Sequence, residues 1–342
     1  MRTAWVAAGG MLLVSIVILG VTLARPRPAP PPPPPEAPAG PVRRDGDLES
    51  IRRGPHLLAA RMTGIEHGAA VEVISLADPA APRAVAPLEC ERIAFSRGHG
   101  ICLRTSSRLM GPRYEAVFFD ERFQPVARID LDGTPTRTRV SPDGRYGAIT
   151  VFVTGQEHGY NSVSFSTKTT LVEMASGKVL ADLEKFTTTR EGQPFAAKDF
   201  NFWGVTFASD SNVFYASLKT AGQTYLVRGD AARRSFTVLR ENVECPALSP
   251  DGRLLAYKKR VGGDLSPWRF HVLELATMLE RPLAAETRSI DDQLEWLDEG
   301  RVLYSTMRTS QSPVGDVWVA SVAGSEPARP FALELKSPVV VR

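Results

Sequence analysis

Val140-Ser141-Pro142-Asp143-Gly144-Arg145 runs straight into the small-apolar stretch Tyr146-Gly-Ala-Ile-Thr-Val-Phe-Val153. A near-copy follows further on, Leu248-Ser249-Pro250-Asp251-Gly252-Arg253, and it too leads into an apolar run, Leu254-Leu-Ala-Tyr257. Ser-Pro-Asp-Gly is turn chemistry. Proline presets φ at one corner, aspartate hydrogen-bonds back to nearby backbone, and glycine takes the position with φ > 0. Set between β-rich runs, the phrase marks the tip of a hairpin.

Weaker copies extend the pattern. The turns align at Gly100 (FSRGHGICLR), Gly144, Ser211 (FASDSNVFYA), Gly252 and Gly300 (WLDEGRVLYS), with separations of 44, 67, 41 and 48 residues. Three of the four match the period of a four-stranded blade, about 40–50 residues, and the fourth is a blade with an insertion. The segment after each hairpin also repeats, as in VFFDERFQPVARI, TLVEMASGKVLADL and HVLELATMLERPL, and six such halves occur against five turns. The missing opening strand is supplied by Ser337-Pro338-Val339-Val340-Val341, which resembles Cys245-Pro246-Ala247-Leu248-Ser249. His56-Leu57-Leu58-Ala59 likewise matches Arg253-Leu254-Leu255-Ala256, so the chain enters at the second strand of a blade. The expected fold is all-β: a six-bladed β-propeller of four-stranded antiparallel blades over residues 51–342, its ends meeting in one blade.

The Ser-Pro-Asp-Gly-Arg hairpins resemble the repeats of TolB-like, or WD-like, β-propellers of bacterial cell envelopes. FSTKTTLVEMASGKVLADLEKF, DFNFWGVTFASDSNVFYA and NVECPALSPDGR are most similar to TolB-like proteins of actinobacteria. The resemblance implies a propeller outside the cytoplasm that recruits partners instead of performing chemistry. It departs from periplasmic TolB in lacking a separate N-terminal α/β domain, so the partners of TolB are not carried over.

Ahead of the repeats, Ala4–Ala24 is an uncharged run of 21 residues. At about 1.5 Å per residue it spans roughly 30 Å, the thickness of a bilayer core. Residues 1–25 are therefore expected to be a single-pass transmembrane anchor. Thr22-Leu23-Ala24 offers the alternative of a cleaved signal, giving a secreted protein. Ten prolines fall within Pro26–Pro41, the mark of an extended polyproline spacer, and residues 26–50 are expected to form a disordered linker. Arg25, Arg27, Arg43 and Arg44 outnumber Arg2 across the apolar run. Taken alone, the positive-inside rule puts the propeller in the cytoplasm. The family resemblance and the cysteines put it outside.

The whole chain has 342 residues and a net charge of only +3, with 41 basic and 38 acidic side chains. No basic tract interleaved with aromatics occurs, which argues against nucleic acid. No Gly-x-Ser-x-Gly elbow, His-Glu-x-x-His pair, P-loop or dinucleotide fingerprint is present, so neither a catalytic residue, a metal ligand nor a cofactor is expected. Gly64-Ile-Glu66-His67-Gly68 and Gly155-Gln-Glu157-His158-Gly159 are near-copies, read as a repeated turn in preference to a metal pair. Of the cysteines, Cys90 and Cys102 flank the hairpin at Ser96–Gly100 and are candidates for a disulfide between adjacent strands, suited to an oxidising compartment. Cys245 is expected to be a buried single thiol.

Irregular segments fall before the first strand of a blade or between its second and third, which places them on one face. Loops on a rigid scaffold carry binding function. The channel mouth on that face is expected to combine Arg137, Arg139, Asp291, Asp292 and Gln293 around Trp203 as an aromatic anchor. The expected role is a membrane-anchored, extracytoplasmic binding scaffold for envelope proteins or peptides. The alternatives are a lactonase- or cyclase-like channel enzyme, drawing on Asp291, Asp292, Glu244 and Asp199, or a passive envelope element.

Overall fold

The computed structural model describes residues 41–63, 69–108, 111–154, 165–263, 267–309 and 311–342. The apolar run Ala4–Ala24, nearly all of the proline tract and both Gly-x-Glu-His-Gly copies lie outside the described residues. Among the described residues no helix is long and apolar enough to cross a membrane.

Six sheets, antiparallel but for one pair at the outer edge of blade four, form the blades of a propeller. In chain order from blade one, the inner strands are Leu335–Val341, Arg92–Ser96, Thr134–Val140, Asn201–Phe207, Glu244–Leu248 and Glu295–Trp296. The repeated turn has one geometry in three blades. Gly144, Ser211 and Gly252 have φ of 74°, 58° and 73°. Each donates its N–H at 2.9 Å to the carbonyl three residues back, on Ser141, Ala208 and Ser249. The Ser141 hydroxyl donates to Asp143 at 2.6 Å and accepts from the Tyr146 N–H at 2.9 Å, and Ser249 repeats both bonds. Burial opposes ionisation of Asp143, but hydrogen bonds from Ser141 and Arg145 outweigh it and hold the carboxyl below its ordinary range.

The ring closes as expected. Blade one orders its strands Leu335–Val341, His56–Arg61, Ala69–Ser75 and Ala84–Cys90, with His56 opposite Val341 and Leu58 opposite Val339. The core is distributed between neighbouring blades. Leu58, Val73 and Cys90 of blade one pack on Ile93, Val117 and Phe119 of blade two, and the pattern recurs around the ring.

Three features depart from expectation. Blade four has six strands, because the insertion before it folds as a hairpin, Thr187–Arg190 and Gln193–Pro194, on its outer edge. Thr187–Arg190 runs parallel to Ser235–Glu241, so this insertion reaches the rim and not the channel mouth. Aromatic burial holds it there: Phe195 packs on Tyr225 and Phe200 on Phe202, while Arg190 covers Phe195 and Tyr225.

Second, order begins well before residue 51. Gly46 N donates to Arg83 O at 2.9 Å, and Arg83 N donates to Arg43 O at 3.0 Å. Asp47 caps the short helix Leu48–Arg52, and Leu48 and Ile51 seat against the core between blades one and two. Arg44 reaches Glu72 at 2.7 Å, where Arg61 and Arg83 also bind at 2.8 and 3.0 Å. Glu72 is fully buried, and a buried carboxylate is tolerated only with such partners.

Third, Cys90 and Cys102 are joined in a disulfide with Cα atoms 5.3 Å apart, but they do not lie in adjacent strands of one hairpin. Cys90 ends the outer strand of blade one, and Cys102 pairs with Ile93 in blade two. Only Glu91 separates the two blades in sequence, so the bridge staples one blade to the next.

Candidate functional site in the central channel

The six inner strands build the channel in layers. At the end nearest the Ser-Pro-Asp-Gly turns, a collar is formed by Phe95, Val140, Phe207, Leu248, Trp296 and Val340, one residue from each blade. Aromatic and aliphatic side chains alternate around it. One residue earlier in each strand come Ala94, Arg139, Thr206, Ala247, Glu295 and Val339. Together the two layers enclose a cavity of about 270 Å³ that opens among the turns. Its charged floor has one ion pair. Arg139 of blade three reaches across the ring to Glu295 of blade six, the blade opposite.

Beyond that pair lies a second cavity of about 30 Å³, lined by Arg92, Arg137, Asp292, Gln293 and Ser337 as well as Arg139 and Glu295. Four of the six channel residues expected from sequence, Arg137, Arg139, Asp292 and Gln293, line it. Asp291 joins them through Arg137 at 3.9 Å and an ion pair with Lys258 of blade five. Gln293 donates to Val205 O at 3.3 Å and Pro246 O at 3.1 Å, tying blade six to blades four and five. Asp292 takes Arg92 of blade two at 3.5 Å, and accepts Ser305 N at 2.9 Å. Glu295 also accepts Val340 N of blade one at 3.2 Å. Residues 291–295 thus touch all five other blades and partition the channel.

Burial opposes ionisation of Asp291, but the positive charges of Lys258 and Arg137 hold its carboxyl below the ordinary range. Lys258 is fully buried; burial opposes its charge, and Asp291 reverses the effect and holds it protonated. Both partners are charged; the desolvation of the buried ammonium is offset by the carboxylate of Asp291, whose side chain is 38% exposed, and by the Trp268 ring, whose centroid lies 4.3 Å from the ammonium.

Trp203 does not form a rim anchor. It is fully buried, edge-on to Phe165 at 5.4 Å, in a cluster with Phe152, Cys245 and Trp268. The carboxylates named for an enzymatic alternative are dispersed. Asp199 accepts Thr220 Oγ1 at 2.5 Å and Ala221 N at 2.7 Å, and Glu244 accepts the Trp268 indole at 3.1 Å. Among the described residues no group of three or more His, Cys, Asp or Glu is placed to hold a metal.

No family model matches the chain, and no curated sequence is similar to it. Solved structures are. TolB from Acinetobacter baumannii superposes with a TM-score of 0.57 at 15% identity, over 85% of this chain and 67% of that one. The fold is a TolB-like six-bladed propeller. A chain of a nidogen/laminin complex gives 0.55 at 12% identity, over 84% of this chain and 99% of that one. The periplasmic gluconolactonase PpgL of Pseudomonas aeruginosa gives 0.50 at 16%, over 84% and 99%. At such identities the likeness establishes the architecture alone, and the site must be read from this propeller's own residues.

Sequence reasoning missed several of those residues. Arg92, Lys258 and Glu295 complete the ion pairs, and Phe95 and Trp296 complete the collar. Aligning every inner strand on the residue before its turn, as Phe207 aligns with Leu248, brings out the collar. The ion pairs cross between blades and leave no local signal.

Proposed function

We propose that the protein is a membrane-anchored, extracytoplasmic binding scaffold that docks a protein or peptide segment in the funnel at the turn face. One observation carries this reading: the turn-end cavity of about 270 Å³ is walled by inner-strand residues of all six blades, with Phe95 and Leu248 partly exposed in it above a charged floor. An apolar wall with a few placed polar groups is the usual make-up of a ligand site, and about 270 Å³ falls just below the usual range of about 300–1,000 Å³. That volume suits one or two side chains of an inserted segment. The nidogen/laminin structure offers the same architecture within a protein complex. The extracytoplasmic placement is supported by the inter-blade disulfide, which an oxidising compartment sustains. Anchoring is supported by the uncharged run Ala4–Ala24.

The test is selection from a random peptide library on the wild-type chain, followed by titration against Phe95→Asp and Leu248→Asp. Both side chains are partly exposed in the collar; Phe95 also stacks on buried Phe119, so each variant is first compared with the wild type by thermal melting and only a folded variant is titrated. Selected peptides should carry an apolar residue beside a charge and lose at least about tenfold in affinity on either variant, a difference of about 1.4 kcal/mol. Unchanged affinity in folded variants would move the site elsewhere.

A further inference from the structure

The outer strand of a blade leaves one edge of N–H and C=O groups without a partner strand, a template for pairing with another chain. Propellers keep such edges short or protected, and five of the blades conform. In blade four the added strand Thr187–Arg190 covers Ser235–Glu241. In blade one Pro87 removes a donor from Ala84–Cys90, the register is broken by a bulge, and Arg43 and Gly46 bond to Arg83 just before the strand. The outer strands of blades three, five and six have only four, three and four residues: Val179–Asp182, Glu280–Pro282 and Arg329–Ala332. Blade two differs. Its outer strand, Pro125–Leu131, has seven residues, and among the described residues no strand pairs with its outer side. At about 3.4 Å per residue this edge is about 24 Å long.

Side chains alternate along it. Ala127, Ile129 and Leu131 are half-buried against the core between blades two and three, while Val126, Arg128 and Asp130 are exposed. Arg113 of the neighbouring strand donates to Asp130 Oδ1 at 2.6 Å, and an exposed carboxylate has a second oxygen for another cation. We infer that this edge pairs antiparallel with the same edge of a second copy, about a twofold axis at Ile129, joining two blades into one continuous sheet. Charge selects both the partner and the register. With the axis at Arg128 the two arginines oppose each other, and at Asp130 the two aspartates do; like charges directly opposite are destabilising. With the axis at Ala127, Pro125 falls inside the ladder, where it lacks a donor. With the axis at Ile129, Arg128 of each copy lies opposite Asp130 of the other, Ala127 opposite Leu131, and the two isoleucines meet. Pro125 then falls opposite Gly133, beyond the end of the strand. The edge is thus self-complementary, as an isologous interface requires. It is narrower than a standard interface, so a dissociation constant of about 1–100 μM is expected.

The test is sedimentation of the full-length chain in detergent from about 1 to 200 μM. Arg128→Asp, Asp130→Arg, an equimolar mixture of the two, and the double exchange Arg128→Asp with Asp130→Arg are run beside the wild type. All changes fall at exposed positions, and thermal melting verifies that each variant is folded. Either single change sets like charges opposite each other at both cross-strand pairs and should weaken the dimer at least about tenfold. Mixing the two matches every charge again and should give a mixed dimer with about wild-type affinity. The double exchange, which keeps the net charge, should restore self-association in the same way. A wild type that stays monomeric throughout the range would overturn the proposal. So would a dimer indifferent to both single changes, as an anchor-driven dimer would be, or two single variants that fail to combine.

Discussion

At the scale of single residues, titratable groups follow their surroundings, and Glu184 makes the clearest prediction. It follows the outer strand of blade three and accepts the Thr169 N–H at 2.9 Å. Burial is the main cause that lifts its carboxyl to about 7, backbone hydrogen bonds pull it down, and Asp182 adds to the rise. Its other oxygen is buried without a hydrogen-bond partner. The folded-state value lies above the ordinary 4.5, so between these values the folded protein holds more protons than the unfolded chain. Stability contributed by this group is therefore present at low pH and lost as pH rises through 7. Glu184→Gln keeps an acceptor for Thr169 and removes the titration. We expect it to leave the midpoint at pH 5 nearly unchanged and to stabilise by roughly 1–3 kcal/mol at pH 8. A denaturant series at the two pH values checks this, and equal effects at both would reject it. Trp203 carries a different lesson. The glycine after it has φ of 65°, and the register with the second strand shifts there. That bulge turns the indole away from the channel mouth, and a Cβ on Gly204 would meet the Cys245 backbone at 2.8 Å. The sequence shows an aromatic next to a glycine, but the backbone decides where the ring goes.

At the scale of elements, what was legible followed the range of the interaction. Ser-Pro-Asp-Gly turns are set by bonds within six residues, so their hairpins could be read directly. The strand pairs of each blade followed from the repeat. The Cys90–Cys102 bridge was anticipated, but its place in the fold was not, because the sharp passage at Glu91 from one blade to the next leaves no turn signature. The outer hairpin on blade four was also hidden, since its parallel pairing with Ser235–Glu241 is a long-range contact. As an inter-blade staple the disulfide closes a loop of about a dozen residues, worth about 2–3 kcal/mol. It also fixes the edge where blade one, built from both ends of the ring, meets blade two. Cys90→Ser with Cys102→Ser should lower stability by about that amount while leaving the strand content intact by circular dichroism. An unchanged midpoint, or free thiols at both positions in exported protein, would contradict the staple.

At the scale of the whole molecule, the ring is held from two directions: around its circumference by blade-to-blade packing, and across its diameter by residues 291–295. The circumferential closure rests on the final strand. Without Leu335–Val341, the strand His56–Arg61 becomes an open inner edge, exposing Leu57, Leu58, Ala59 and Ala60, all fully buried in the closed ring. Unpaired edges of this kind also promote association between chains. Burying Val339 and Val340 alone is worth about 1.5–3 kcal/mol each. Their combined contribution is a large share of a typical net stability of about 5–15 kcal/mol. Removal of residues 337–342 also takes away the Ser337 hydroxyl bond to Ile93 and the Val340 bond to Glu295, so the transverse partition loosens together with the rim. The truncated chain should therefore lose soluble expression or melt at least several degrees lower. A synthetic peptide covering residues 335–342, added in trans, should pair with the vacant edge and recover part of the loss. A truncated chain with an unaltered midpoint would show that blade one closes without this strand, and that the ring is held by its interblade packing alone.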